Sequence, residues 1–192
     1  FSPDNSAKQY LGIWFKNITI RKIIWVANRE SPLSISDTSS SLTIVDDGNL
    51  RILDGMILWE SFDYPSNSLL PGMKLGTNGK TQGTHFMTSW KSDDDPTSGN
   101  FVVGLSEERP PQIFTWNGSK PHRRGGPWDG GKVIGVPEQD PGYSELNLEP
   151  ENSRGGGYLT LHLLGSSDFR WLYLQPDAMF QMIYLDDDNK MG

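Results

Sequence analysis

Between Tyr10 and Leu33 the chain reads YLGIWFKNITIRKIIWVANRESPL, two short apolar runs held apart by a polar stretch. In the first run Tyr10, Gly12 and Trp14 alternate with Leu11, Ile13 and Phe15, so an extended strand here is apolar on both faces. That pattern predicts a strand covered on two sides. The second run, Ile23 to Ala27, sets Trp25 between β-branched neighbours, and Pro32 stops it before a polar loop. Further along, Leu42/Ile44 and Leu50/Ile52 flank Asp46-Asp47-Gly48-Asn49 in the manner of a hairpin whose turn places Gly at positive φ. Later strands are predicted at Asn100–Leu105, Gln112–Trp116, Tyr158–Leu164, Trp171–Leu174 and Met179–Leu185, with Gly/Pro-rich turns at Arg124–Gly131 and Arg154–Gly157. No window carries the i, i+3, i+4, i+7 stripe of an amphipathic helix, and 21 Gly and 13 Pro weaken any helical reading further. The pattern is all-β.

Composition narrows the function classes. A length of 192 residues suffices for one large or two small domains. The formal charge of −7 argues against nucleic acid as a partner, because phosphate contacts need a basic surface. The acidic residues cluster at Asp46-Asp47, Asp93-Asp94-Asp95, Glu107-Glu108 and Asp186-Asp187-Asp188, where they read as solvated turns. None has the spaced oxygen ligands and late Glu of a calcium loop. His85, His122 and His162 are too far apart in sequence for zinc-ligand spacing, so no metal and no cofactor is assigned. The chain contains no cysteine, no G-x-S-x-G elbow and no phosphate-cradling G-x-G-x-x-G between a strand and a helix. No catalytic residues are assigned. A break in periodicity at LGTNGKTQG, Leu75 to Gly83, marks a candidate boundary, dividing the chain into residues 1–78 and 79–192.

Five segments, in order, carry a family resemblance. Tyr10 to Leu33 resembles the opening YLGIWY…VVWVANRxxPL of a plant bulb-type (G-type) lectin domain. Leu42 to Gly55, LTIVDDGNLRILDG, resembles its GNL hairpin, and Leu58 to Gly76, LWESFDYPSNSLLPGMKLG, its end. Thr88 to Phe101, TSWKSDDDPTSGNF, resembles the opening of an S-locus glycoprotein domain, and His122 to Glu138, HRRGGPWDGGKVIGVPE, its WRSGPWNGxxFxGxP signature. The resemblance implies a bulb-type lectin β-prism over 1–78 followed by an S-locus glycoprotein β domain over 79–192. It also implies that the prism is partial. The family builds it from three similar hairpin-bearing subdomains, whereas this chain shows one GNL hairpin and passes from Gly55 directly to Met56-Ile57-Leu58-Trp59, where about forty residues of another repeat are expected. Either a segment is missing from the sequence, or the domain is a deletion variant whose core is open on one side. An open core would leave Trp14, Trp25 and the inward face of the Leu42/Ile44 and Leu50/Ile52 hairpin short of partners. Phe1 enters in mid-pattern, so both ends of the chain are expected to be truncated.

The same resemblance suggests where recognition could sit. Aligning the hairpin with the family's mannose pocket, Q-x-D-x-N-x-V-x-Y, keeps Asp47 and Asn49 but puts Val45 and Leu53 in place of the Gln amide and Tyr hydroxyl. Each missing hydrogen bond is worth about 0.5–1.5 kcal/mol net, so the hairpin reads either as a degenerate carbohydrate site or as a turn alone. Sequons at Asn17-Ile18-Thr19 and Asn117-Gly118-Ser119 are candidate glycosylation sites. Trp128 beside Arg123 and Arg124 reads either as a core plug or as a partner-binding anchor. The expected function is recognition by the ectodomain of an S-domain receptor-like kinase or by an S-locus glycoprotein, on the extracellular side of the plasma membrane or secreted. Its expected partners are an extracellular protein or small-molecule ligand and a second copy or a receptor-like kinase. Pollen recognition (self-incompatibility) and defence are the expected contexts, with mannose-glycan binding as the alternative. Any kinase activity would belong to a full-length parent.

Overall fold

The computed structural model describes residues 10–15, 23–31, 39–46, 48–77, 84–135, 146–150, 157–162 and 169–185. Sixteen strands are assigned there: β1 Gly12–Trp14, β2 Ile23–Val26, β3 Ser41–Ile44, β4 Leu50–Leu53, β5 Ile57–Glu60, β6 Ser68–Leu69, β7 Lys74–Thr77, β8 Thr84–His85, β9 Met87–Ser92, β10 Asp95–Leu105, β11 Gln112–Asn117, β12 Lys120–Pro127, β13 Leu146–Pro150, β14 Gly157–Leu161, β15 Phe169–Leu174 and β16 Phe180–Leu185. A single 3-10 turn at Ser61–Asp63 is the only helical element among the described residues. The all-β expectation holds, and the arrangement in several antiparallel sheets is consistent with a bulb-lectin type of β fold.

Among the described residues these make five sheets: β1-β2, β3-β4-β5, β6-β15-β16, β8-β7-β14-β13 and β12-β11-β10-β9. Two of them join distant parts of the chain. In one, Leu69 of β6 faces Leu172 of β15, and in another Leu75 of β7 faces Leu159 of β14. All four leucines are buried, and they belong to a core that also takes in Trp25, Trp59, Met87, Val103, Trp171 and Leu174. Strands from both sides of residues 78 and 79 thus share sheets and a core.

Several expectations change. The first apolar run is not covered on two sides: Tyr10 is buried, but Leu11, Ile13 and Trp14 are each 40–43% exposed, because β1 pairs only with β2 in a two-stranded sheet. Trp25, expected to lack partners, is fully buried with its ring 5.5 Å from that of Trp59. Leu75, Gly76 and Thr77 form β7 rather than an irregular linker. Arg124 and the GGP that follows belong to β12 rather than to a turn. That strand tolerates Pro121, Gly125 and Gly126 because it lies at a sheet edge, and its register against β11 shifts twice.

Candidate recognition face

Strand β11, QIFTWN, alternates two kinds of side chain. Ile113 and Thr115 are buried and belong to the inner face with Val103 and Leu105 of β10, while Phe114 and Trp116 lie half-buried on the outer face. Opposite Phe114 on β10 stands Gly104, whose missing side chain makes room for Phe86: a Cβ there would lie within 2.4 Å of the Phe86 ring. The rings then run in a line. Phe86 stacks on Trp116 at 5.8 Å between centroids and 19° between planes, and Trp116 on Phe114 at 5.5 Å and 25°. The exposed Arg124 of β12 closes the row, its guanidinium carbon 5.3 Å from the Phe114 centroid. Three flat faces ending in a fixed positive charge can take apolar and π-rich groups beside an anionic one.

At its Phe86 end the ladder meets a cleft of about 460 Å³, lined also by Asn28, Glu30, Trp59, Tyr64 and Thr88. Arg29 anchors one wall. Its Nη2 donates to the Thr88 carbonyl at 2.8 Å, and its Nη1 reaches the carbonyls of Ser89 at 3.4 Å and Pro96 at 3.5 Å. Burial lowers its pKa to about 10, partly offset by Glu30, whose Oε1 lies 3.3 Å from Nε. Tyr64, exposed and stacked on Trp59 at 5.8 Å, also lines the cleft.

Arg123 and Arg124 are both exposed, but Arg123 pairs with Thr115 and Arg124 with Phe114, so alternation directs them to opposite faces of the sheet. Trp128 is half-buried and packs against the core, forming a bridge with Val133. The GGPWDG signature has a steric basis. Residues 125–127 cross 134–135 so closely that a Cβ on Gly126 (φ +89°) would lie 2.8 Å from the Gly135 nitrogen, and one on Gly135 only 2.1 Å from the Gly125 carbonyl. Beside it, the amides of Gly131 and Lys132 donate to Asp129 Oδ1 and hold its carboxyl below the ordinary range.

Asn49 is buried. Its Oδ1 accepts from Ser61 Oγ at 2.9 Å and from the Phe62 amide at 3.2 Å, bracing the hairpin against the segment that follows β5. Asp47 and Asn17 lie outside the described residues. Asn117 is exposed at the end of β11, where Gly118 and Ser119 turn the chain into β12. His85 Nδ1 contacts the Asp63 carbonyl at 2.5 Å, His122 packs on Phe101, and His162 reaches Thr160 and Glu149. Among the described residues no group of His, Asp or Glu has metal-binding geometry. Sequence reasoning placed the strand Gln112–Trp116 but not the ladder. The available signal was the aromatic pair at positions i and i+2, Phe114 and Trp116, opposite Gly104.

Comparison with known proteins sets this geometry in context. A family model described as D-mannose binding lectin matches residues 53–91. The receptor-like serine/threonine-protein kinase SD1-8 of Arabidopsis thaliana is 40% identical over 178 aligned positions, covering 73% of this chain and 21% of that protein. A G-type lectin S-receptor-like serine/threonine-protein kinase of the same plant is 36% identical over 221 positions, 93% of this chain and 26% of the relative. The S-locus-specific glycoprotein S6 of Brassica oleracea is 35% identical over 221 positions, 95% of this chain and 50% of the relative. The chain thus spans half or less of the length of these relatives. Since 95% of 192 residues occupies 221 positions, about 39 positions of the S6 alignment have no residue of this chain opposite them; for the second kinase the figure is about 42. With a lectin-family match in its middle and this likeness along nearly all of its length, the chain belongs to the family of G-type lectin S-receptor-like kinases and S-locus glycoproteins, related to their lectin-bearing ectodomain.

Proposed function

We propose that this chain is an extracellular recognition module that binds a protein or small-molecule ligand on the outer side of the plasma membrane, or in secreted form, and serves cell-surface signalling in pollen recognition or defence. Its lectin-like part is residues 1–78 and its S-locus-glycoprotein-like part 79–192. The ladder of Phe86, Trp116, Phe114 and Arg124 carries this reading, because it offers rigid aromatic anchors and a charge on an outward face. Arg123, on the other face of the sheet, and Trp128, packed against the core, are further partner-binding candidates apart from that ladder, and glycans at Asn17 and Asn117 would keep their own surroundings in solvent. A parent chain carrying a serine/threonine kinase would turn occupancy into a signal by favouring a dimer in which two kinases meet.

The test is saturable binding of a secreted fluorescent fusion to intact plant cells and to apoplastic proteins. Binding reduced at least tenfold by Phe114→Ala and by Arg124→Ala supports the reading, and the absence of saturable binding sinks it. The alternative, a mannose-binding lectin using Asp47 and Asn49, draws on the description of the matching family, although the match itself, residues 53–91, begins after both. Retention on immobilised mannose, released by free methyl mannoside and lost in Asn49→Ala, would favour it. The internal hydrogen bonds of Asn49 count against it.

A further inference from the structure

The sheet β3-β4-β5 is buried unevenly. Across it, Leu42 pairs with Ile52 and Ile52 with Trp59, while Ile44 pairs with Leu50, so these side chains share one face. Ile52 is 3% and Trp59 6% exposed, and Leu50 is packed against the core. Yet Leu42 is 49% exposed and Ile44 73%. The core therefore ends one strand short of β3, on the side of the sheet where apolar side chains belong. Strand β3 is also an edge: among the described residues it has β4 on one side and no strand on the other. Its sequence, Ser41-Leu42-Thr43-Ile44, holds no Lys, Pro, Asp or Glu, the residues that ordinarily blunt such an edge. The relatives, meanwhile, carry about forty residues with no counterpart in this chain.

We propose that the β3 edge pairs with the β3 edge of a second copy of this chain, joining two three-stranded sheets through a two-fold axis. Backbone pairing at an edge accepts any strand, but it conserves the faces only if inward residues meet inward residues. A two-fold axis through Thr43 does this: Leu42 faces Ile44 of the second copy, Thr43 faces Thr43, and Ile44 faces Leu42. The four exposed aliphatic side chains then meet on one face, and every open N–H and C=O along the edge gains a partner. No charge is buried, because β3 contains none. A different protein would have to supply by coincidence the length and alternation that a second copy supplies by identity. A repeat present in the relatives but absent here would be the natural cover for this strand, and the second copy takes its place.

The absence of cysteine makes the test direct. Facing residues in an antiparallel pair have Cα atoms about 4.5–5.5 Å apart, inside the range of about 4.4–6.8 Å that a disulfide spans. In the full chain, Thr43→Cys is expected to form an interchain disulfide under mild oxidation far faster than Asp94→Cys, which sits on an exposed turn. Sedimentation of the unmodified chain in the micromolar range should show a reversible dimer, and Ile44→Lys should raise its dissociation constant at least tenfold. Ile44 is so exposed that the lysine leaves the monomer folded, which circular dichroism checks. A chain that stays monomeric, or a dimer indifferent to Ile44→Lys in which Thr43→Cys cross-links no faster than Asp94→Cys, overturns the proposal.

Discussion

Arg29 is a charged side chain whose charge the fold uses for attachment. Its guanidinium reaches three main-chain carbonyls, at Thr88, Ser89 and Pro96, and so ties the turn after β2 to β9 and β10. Arg29→Ala strands those carbonyls, and removing hydrogen bonds from a buried charged donor costs about 1.5–3 kcal/mol. Urea unfolding should show a loss of that size, whereas a change under about 0.5 kcal/mol would mean the contacts are incidental. Tyr173 titrates in a revealing direction. Burial raises its pKa above 10.0, Asp93 adds to the shift, and the adjacent Asn67 side chain opposes it. The fold thus favours the neutral phenol, a contribution complete below the unfolded pKa and lost as pH rises through the folded one. Tyr10 shifts the same way, through burial first and then Asp95 and Glu30. Accordingly, Tyr173→Phe should lessen, without abolishing, the fall in urea midpoint between about pH 8 and about pH 11. An unchanged fall would place the alkaline sensitivity elsewhere.

Strands differ in how openly their sequences declare them. β11, β15 and β16 follow from alternation within a residue or two, β14 ends at Leu161 where the pattern ran on to Leu164, and the hairpin turn with Gly48 at φ +84° follows from DDGN. β12 does not, because its Pro and Gly residues signal a turn until its place at a sheet edge is known. For β1 the error ran the other way, since apolar residues on both faces promised cover that a two-stranded sheet does not provide. The site was legible in a similar measure. Arg124 was singled out, but Phe86 and Phe114 were not, because the slot that aligns them depends on a glycine on a neighbouring strand. At this scale the sharpest test is β14. Leu159 is fully buried opposite Leu75, and its truncation to Ala should cost about 2–5 kcal/mol, far above the effect of an exposed change such as Met56→Ala.

The whole molecule inherits its cohesion from two short strands. β6 and β7 lie within residues 68–77, yet their partners β15 and β14 come from residues 157–174. Sharing a core in this way, residues 1–78 and 79–192 are expected to unfold together, with tryptophan fluorescence and far-ultraviolet circular dichroism tracing one coincident urea curve. Two separated transitions would instead mark two independent units.

That interleaving also imposes an order of events during synthesis. Leu69 and Leu75 leave the ribosome roughly a hundred residues before Leu172 and Leu159 can meet them, and until then each must remain uncovered or be shielded by a chaperone. The first half of the chain is therefore completed by strands made much later, and a stop codon shortly before Gly157 would damage the part already translated as well as remove the part lost.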